Sequence, residues 1–337
     1  MDPAHGPRRR RLSVGARLRV VPPAVIDPDR LAVLAGPLLD RCRFPPAGSV
    51  VTCGVSGGAD SLSLLALAVA SGCEVTAVHV DHGLRVGSDR EAAVVAEGAA
   101  ALGASFRSVR VQVGEGSNLE ARARAARLGA LGTDALVGHT ADDQAETVLG
   151  NLMRGAGPEG LAGIRADARH PILGLRRRET EELCRELGLT VVDDPSNRDS
   201  AFRRNRIRAE VLPLLDDVAG RDVAAVIARQ AEVLREVVDY LSGEAAGLDP
   251  TDGATLAATA PVVARMAVRR WLRSCSAESH PPDGPTVERV LAVARLEIRA
   301  TEIGGGWRVA RTEGRLRLEF DGEPVAGPTP DFSPDAG

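Results

Sequence analysis

The chain has 337 residues, a formal net charge of -4 and 26% charged residues, and it contains no lysine, so all 42 of its cationic side chains are arginine. That length accommodates two domains and a sizeable core, and the near balance of charge excludes a globally basic nucleic-acid binder. The missing lysine excludes a Walker A loop, which needs the ammonium of G-x-x-x-x-G-K-[ST], and it excludes Schiff-base or lysyl-adenylate chemistry on the protein.

The chain opens with Arg8, Arg9, Arg10, Arg11, Arg17 and Arg19 and no apolar run behind them, which reads as a basic disordered tail over 1–22 rather than a secretory signal. No stretch approaches the roughly 18 apolar residues of a membrane span. From residue 50 to about 191, short apolar runs alternate with helical stretches. Strands are expected at 50–55, 74–80, 106–113 and 135–139, and helices at 61–70, about 88–102, 118–131 and 142–154. Strands and helices in alternation with short connections predict an α/β fold, a parallel sheet covered on both faces. Ligands of such sheets bind beyond the carboxyl ends of the strands. The chemically loaded segments SGGADS, DHGLR and HTADD each start where a predicted strand ends.

After Pro213 the pattern becomes helical, with helices expected at 216–241, 261–273 and 286–295. Two short strands turned at 312–314 follow. The residues from 322 on are rich in Pro, Gly and Asp, as in a disordered tail. A boundary is placed near 212–215. It separates a catalytic domain over 23–214 from a smaller, mainly helical accessory domain over 215–321, with a tail over 322–337. The five cysteines (Cys42, Cys53, Cys73, Cys184, Cys275) never form C-x-x-C. Cluster or zinc ligation is therefore not expected, and a cytoplasmic protein is.

The segment Ser56-Gly57-Gly58-Ala59-Asp60-Ser61 follows a strand and opens a helix. Glycines let the backbone approach an anion, and successive N–H groups form a nest at the positive helix end. Ser56 and Ser61 can add hydroxyl donors. Asp60 repels phosphate, so it is read as a magnesium ligand, as an organiser of the loop or as a helix cap. In His139-Thr140-Ala141-Asp142-Asp143-Gln144-Ala145-Glu146-Thr147, Thr140 and Asp143 fit a capping box, while Asp142 and Glu146 share one helical face. Two carboxylates and an imidazole at a strand's end can hold Mg²⁺ or a cationic amino acid.

These motifs, in this order, resemble the tRNA(Ile)-lysidine synthase family of PP-loop ATP pyrophosphatases. S-G-G-x-D-S is similar to the pyrophosphatase loop, and His79-Val80-Asp81-His82-Gly83-Leu84-Arg85 to the second-strand motif. The block around His139 matches H-x-x-D-D-x-x-E-T, and Arg154-Gly155-Ala156-Gly157-Pro158-Glu159-Gly160-Leu161 resembles R-G-x-G-x-x-G-L. Asp194-Pro195-Ser196-Asn197-Arg198-Asp199 and Arg204-Asn205-Arg206-Ile207-Arg208 resemble D-x-S-N-x-D and R-N-x-x-R. The likeness implies an adenine nucleotide alpha-hydrolase-like, Rossmann-like PP-loop domain that binds ATP with Mg²⁺. It further implies adenylation of the wobble cytidine in a CAU-anticodon isoleucine tRNA, followed by attack of free L-lysine.

By that likeness Asp60, His139, Asp142, Asp143 and Glu146 are expected at the chemistry. Ser56, Gly57, Gly58, Ala59, Asp60, Ser61, Arg124 and Arg127 are expected at the nucleotide, although Leu128 replaces the family's usual tyrosine beside that pair. Asp60 and Asp143 are the expected Mg²⁺ ligands. Asp81, His82, Arg85, Arg154, Arg198, Arg204, Arg206 and Arg208 are expected on the substrate side, the arginines as forks for tRNA phosphate. The alternative for the basic stretch is a solvated helix face. His170 stands where the family more often has the arginine of R-P-L-L. A homodimer stays open. The rival activities are a PP-loop 2-thiolase, which commonly carries paired cysteines, and a nucleotide-binding RNA-binding module without catalysis.

Overall fold

The computed structural model describes residues 25–81, 88–111, 122, 126, 128–192, 199–275, 282–320 and 323–324. The chain divides into two compact units, one of residues 1–140 and 167–194, the other of residues 141–166 and 195–337.

The first unit is built on a parallel sheet of order β3-β2-β1-β4, with β1 (Val50–Gly54), β2 (Glu74–Asp81), β3 (Ser105–Arg110) and β4 (Leu136–Val137). Strand β1 is central and registers on both β2 and β4. After β3 the chain crosses to the far side of β1, so the order reverses between β1 and β4, where ligands of open α/β sheets bind. Helix α1 (Pro28–Leu39) precedes the sheet, α2 (Ala59–Ala70) joins β1 to β2, and α3 (Ser88–Ala101) joins β2 to β3. Every residue of α2 from Ser61 to Ala68 is buried, and Leu62, Leu64, Leu65 and Leu67 lie in the core with Cys53, Val55 and Ala77 of the sheet. A helix apolar on all sides is covered on all sides. The fully buried hydroxyl of Ser63 donates 2.7 Å to Thr180 O.

In chain order follow α4 (Ala141–Leu152) and the short α5 (Pro158–Leu161), both of the second unit, and α6 (Arg177–Leu187) of the first, which packs on α2. Helix α6 was not anticipated from the sequence. Its buried residues Thr180, Leu183, Cys184 and Leu187 follow the spacing of one helical face, and it ends at Gly188. Strand β3 is shorter than expected among the described residues and largely exposed, as suits the sheet edge.

The second unit holds α4, α5, α7 (Arg203–Arg206), a π-helical turn (Ile207–Val211), α8 (Leu212–Ala219), α9 (Val223–Ala246), α10 (Gly253–Ala258), α11 (Pro261–Cys275) and α12 (Gly284–Ala294). The single helix expected at 216–241 is two helices. Helix α8 stops at a left-handed Gly220, and α9 restarts at Asp222, whose side chain accepts from the Ala225 N–H at 3.2 Å. Buried Ala224, Ala231, Val238 and Ala245 recur every seventh residue of α9 and give it one inward stripe.

An antiparallel sheet of order β5-β6-β7-β8 closes the unit: β5 (Ala300–Gly304), β6 (Trp307–Thr312), β7 (Arg315–Phe320) and β8 (Glu323–Pro324). Only β6 and β7 were expected from the sequence, and β8 places two paired residues in the stretch read as a tail. The expected boundary near 212–215 follows the change from strands to helices, whereas compactness assigns α4 to the second unit, where it packs on α9. Among the described residues no helix is long and apolar enough to cross a membrane.

Candidate active site

The loop after β1 is held in shape by its own atoms. Gly57 has φ 90°, a region closed to most side chains, and an added Cβ there would lie 2.8 Å from Val192 Cγ2. The Val192 N–H donates to Gly57 O at 2.9 Å. Gly58 caps α2 in extended conformation, and Ala59 and Asp60 begin the helix. Ser61 Oγ donates to Gly58 O at 2.9 Å and accepts the Ser56 N–H at 3.1 Å. The Ser61 hydroxyl proton is thus used inside the loop, whereas Ser56 is exposed, its Oγ 3.3 Å from Ser61 Oγ. The first amides of a helix have no carbonyl within it to bond, so the 56–61 segment presents a positive helix end with one hydroxyl to solvent.

Asp60 does not point into a void. Its carboxylate accepts from Arg177 Nε at 3.2 Å and from the Thr180 hydroxyl, both on α6. The Asp60 and Arg177 side chains are only 23% and 18% exposed, so the pair is poorly screened. Behind the loop, Gly138 at the end of β4 meets the backbone of Asp60 and Ser61 so closely that a Cβ would lie 2.8 Å from Asp60 O. Of the expected site residues in this unit, the structure therefore brings Asp60 and the carboxyl end of β4 together.

His139 follows at that end, its N–H donating to Val137 O at 3.0 Å. Its ring stacks on His170, with centroids 5.1 Å apart and planes inclined by 22°. His170 Nδ1 lies 2.7 Å from Asp167 Oδ1. Asp81 ends β2, buried, and accepts from Arg110 Nε at 3.0 Å. On the same strand the buried His79 places Nδ1 3.1 Å from Val55 O, just before the loop. Because a carbonyl only accepts, that nitrogen carries the proton.

In the second unit, α4 turns two carboxylates inward: Asp143 is 5% and Glu146 2% exposed. Arg204 of α7 donates to both, and Arg208 of the π-helical turn places Nε 2.7 Å from Glu146 Oε1 and Nη2 3.2 Å from Oε2. Two arginines expected to face tRNA phosphate are therefore spent on the carboxylates expected at the chemistry. Burying such ion pairs rarely adds stability over an apolar filling, which makes this cluster hard to explain as packing alone. Asp142 is only half-buried. Arg206 stays at the surface with Glu210, 2.8 Å away, and Arg154 bonds Asn151 in its own helical turn. His82, Arg85, Arg124, Arg127 and Arg198 lie outside the described residues, as does the 194–198 part of the D-x-S-N-x-D element.

Burial pushes the Cys42 and Cys53 thiols up to about 12 and the Cys184 thiol to about 11, where Asp60 adds to the rise. None of the three is a thiolate at neutral pH. Iodoacetamide at pH 7 is expected to leave these three unmodified in the folded protein, as peptide mass mapping would report. Rapid labelling of any of them would reopen sulfur chemistry.

A family model described as the PP-loop domain matches residues 39–215. The chain is 42% identical over 302 residues to the tRNA(Ile)-lysidine synthase of Nocardia farcinica, covering 82% of this chain and 93% of that protein. It is also 42% identical to the enzyme of that name from Rhodococcus erythropolis, over 82% of this chain and 92% of the relative. The same identity holds against the Mycobacterium tuberculosis protein, over 79% and 86%. The chain belongs to the tRNA(Ile)-lysidine synthase family.

As a member of the tRNA(Ile)-lysidine synthase family it is an ATP-using ligase of tRNA modification, and its parallel sheet with the loop after β1 is the PP-loop fold. The residues that motif reading missed are Arg177 and Thr180, the partners of Asp60. The signal was present in R-R-R-E-T, a basic run entering an amphipathic helix, but nothing in that run names Asp60 as its target. For Mg²⁺ the loop itself supplies one carboxylate, Asp60, and no group of three metal-ligating side chains occurs among the described residues.

Proposed function

We propose that the protein activates the wobble cytidine of a CAU-anticodon isoleucine tRNA with ATP and couples it to free L-lysine. The cytidine C2 oxygen attacks the α-phosphorus, the bond to the bridging oxygen breaks, and pyrophosphate leaves with the electron pair. The lysine amine then attacks C2, the C2–O bond breaks, AMP departs with that oxygen, and the amine loses a proton. The observation that carries the reading is the loop after β1, already folded around Gly57 and Ser61 at the helix end.

Each residue has a task in that scheme. The amides of 57–60 and the Ser56 hydroxyl hold the departing pyrophosphate, with no lysine side chain needed. Asp60, fixed by Arg177 and Thr180, orders the loop and would be its ligand for Mg²⁺. Mg²⁺, when bound with ATP, neutralises charge on the phosphates. His139, which follows β4, and Asp142, in the first turn of α4, are the polar groups assigned to the reacting atoms. Asp143, Glu146, Arg204 and Arg208 form a mixed-sign cluster, which is complementary to an amino acid carrying both ammonium and carboxylate groups. One of its carboxylates takes the amine's proton. Arg154, Arg206, Arg85 and Arg198 are assigned to the tRNA backbone, Asp81 and His82 to the substrate side, and Arg124 and Arg127 to the nucleotide. The reaction belongs in the cytoplasm, with residues 23–214 as catalytic and 215–321 as accessory segments and a homodimer as an assembly to be measured.

The test omits lysine. With ATP and the cognate tRNA, pyrophosphate is expected to appear only when tRNA is present. Asp60→Ala should lower that release by roughly 10²-fold with native circular dichroism. Release without tRNA, or wild-type release by Asp60→Ala, would contradict the scheme.

A further inference from the structure

The motif histidine His139 is not left to find its own orientation. We infer that His170, backed by Asp167, is the positioning residue that sets the ring of His139 for the reaction. This rests on the reading of His139 as an active-site group.

The geometry forms a closed loop of contacts. The His139 backbone is tied to β4 through its N–H on Val137 O at 3.0 Å. The Val137 N–H in turn donates to Arg169 O at 2.8 Å, which fastens the 167–170 turn to the same strand. Asp167 Oδ1 accepts both the Arg169 N–H at 3.0 Å and His170 Nδ1 at 2.7 Å, so the carboxylate is oriented before it meets the imidazole. His170 precedes Pro171, which restricts its backbone to extended conformations. The Arg43 N–H on Pro171 O, 2.9 Å, anchors the far side. The His170 side chain is 16% exposed, and its face lies parallel to His139 at stacking distance.

Strand, turn, carboxylate and ring thus return to the residue that follows the strand. An apolar side chain would fill the same space, but it would neither bind Asp167 nor fix a rotamer. Arginine can do both, since its guanidinium plane stacks on a ring while its fork grips a carboxylate.

The experiment measures kcat and the KM for ATP of tRNA-dependent adenylation, with thermal melting in parallel. His170→Ala is expected to lower kcat roughly tenfold with the KM for ATP nearly unchanged, because a displaced group slows the reaction more than it weakens binding. His170→Arg should restore kcat to within about twofold, and His170→Phe, which keeps only the stack, should fall between. In a His139→Ala background, His170→Ala should cost nothing more. The inference is overturned by wild-type kcat in His170→Ala, by an additive loss in the double variant, or by no rescue in a folded His170→Arg. A kcat loss that follows the melting temperature across all three His170 variants would also overturn it. Wild-type kcat in His139→Ala would instead remove the reading of His139 itself, and this inference with it.

Discussion

Gly138→Ala, the addition of a single methyl group, is expected to cost about 10²-fold in activity. Its Cβ would lie 2.8 Å from Asp60 O, 2.9 Å from Asp60 C and 3.1 Å from Ser61 Cα. All three are backbone atoms of the first turn of α2, so no side chain can swing away. The turn must move, and with it the helix end and the Asp60 carboxylate held by Arg177 and Thr180. Overpacking of this kind costs about 1–3 kcal/mol of stability. The functional loss should be larger, because a shift of about 1 Å in a reacting group can cost about 10²-fold in rate. Crystallography of the variant and its kcat/KM for ATP would check this. Wild-type kinetics with an unmoved loop would show that the close approach is incidental.

Arg204→Ala is expected to have the largest effect on stability. It removes the guanidinium that bonds both Asp143 and Glu146. Breaking a buried pair typically costs about 3–5 kcal/mol, and the lower end applies because Arg204 itself is 45% exposed. Arg206→Ala, two residues on, removes a surface contact with Glu210 and should leave the melting temperature unchanged. Denaturant titration of the two variants separates the cases. Equal stabilities would return Arg204 to the role of a tRNA-facing residue. A loss of tRNA affinity by Arg206→Ala, with a shallower salt dependence, would place that residue on the phosphate backbone.

The sheet was legible because its strands announce themselves: VVTCG and EVTAVHVD are apolar runs bounded by turn residues, and they form β1 and β2 with ends within a residue of expectation. The loop between β1 and α2 was legible for the same reason, as were the carboxylates of α4. Side-chain partnerships were not. Asp60 meets Arg177 and Thr180 across 117 and 120 residues of sequence, and Arg204 reaches back 58 and 61 residues to Glu146 and Asp143. Local charge made R-N-R-I-R look like a nucleic-acid face; only the fold reveals that two of its arginines balance a buried pair. Gly138 was visible as a letter of a motif, yet its physical reason lies in the backbone of a different element. The π-helical turn at Ile207–Val211 has no periodicity signal of its own, although it aims Arg208 at Glu146.

The ends of the helical unit were misread where caps override hydrophobic period. Gly220 and Asp222 divide what the apolar pattern joins, and Asp283 starts α12 earlier than expected by accepting the Thr286 N–H at 2.8 Å. Strand β5 was missed because its alternation is weak: Thr301 is buried, its neighbours are not, and a bulge shifts the register between Glu302 and Gly304.

The most direct measurement incubates the protein with ATP, labelled lysine and the CAU-anticodon isoleucine tRNA, and follows label in the tRNA. The account predicts one lysine joined to the wobble cytidine per tRNA, with AMP and pyrophosphate released in equal amounts and no transfer to a tRNA of different anticodon. Intact tRNA binding without lysine incorporation would contradict it.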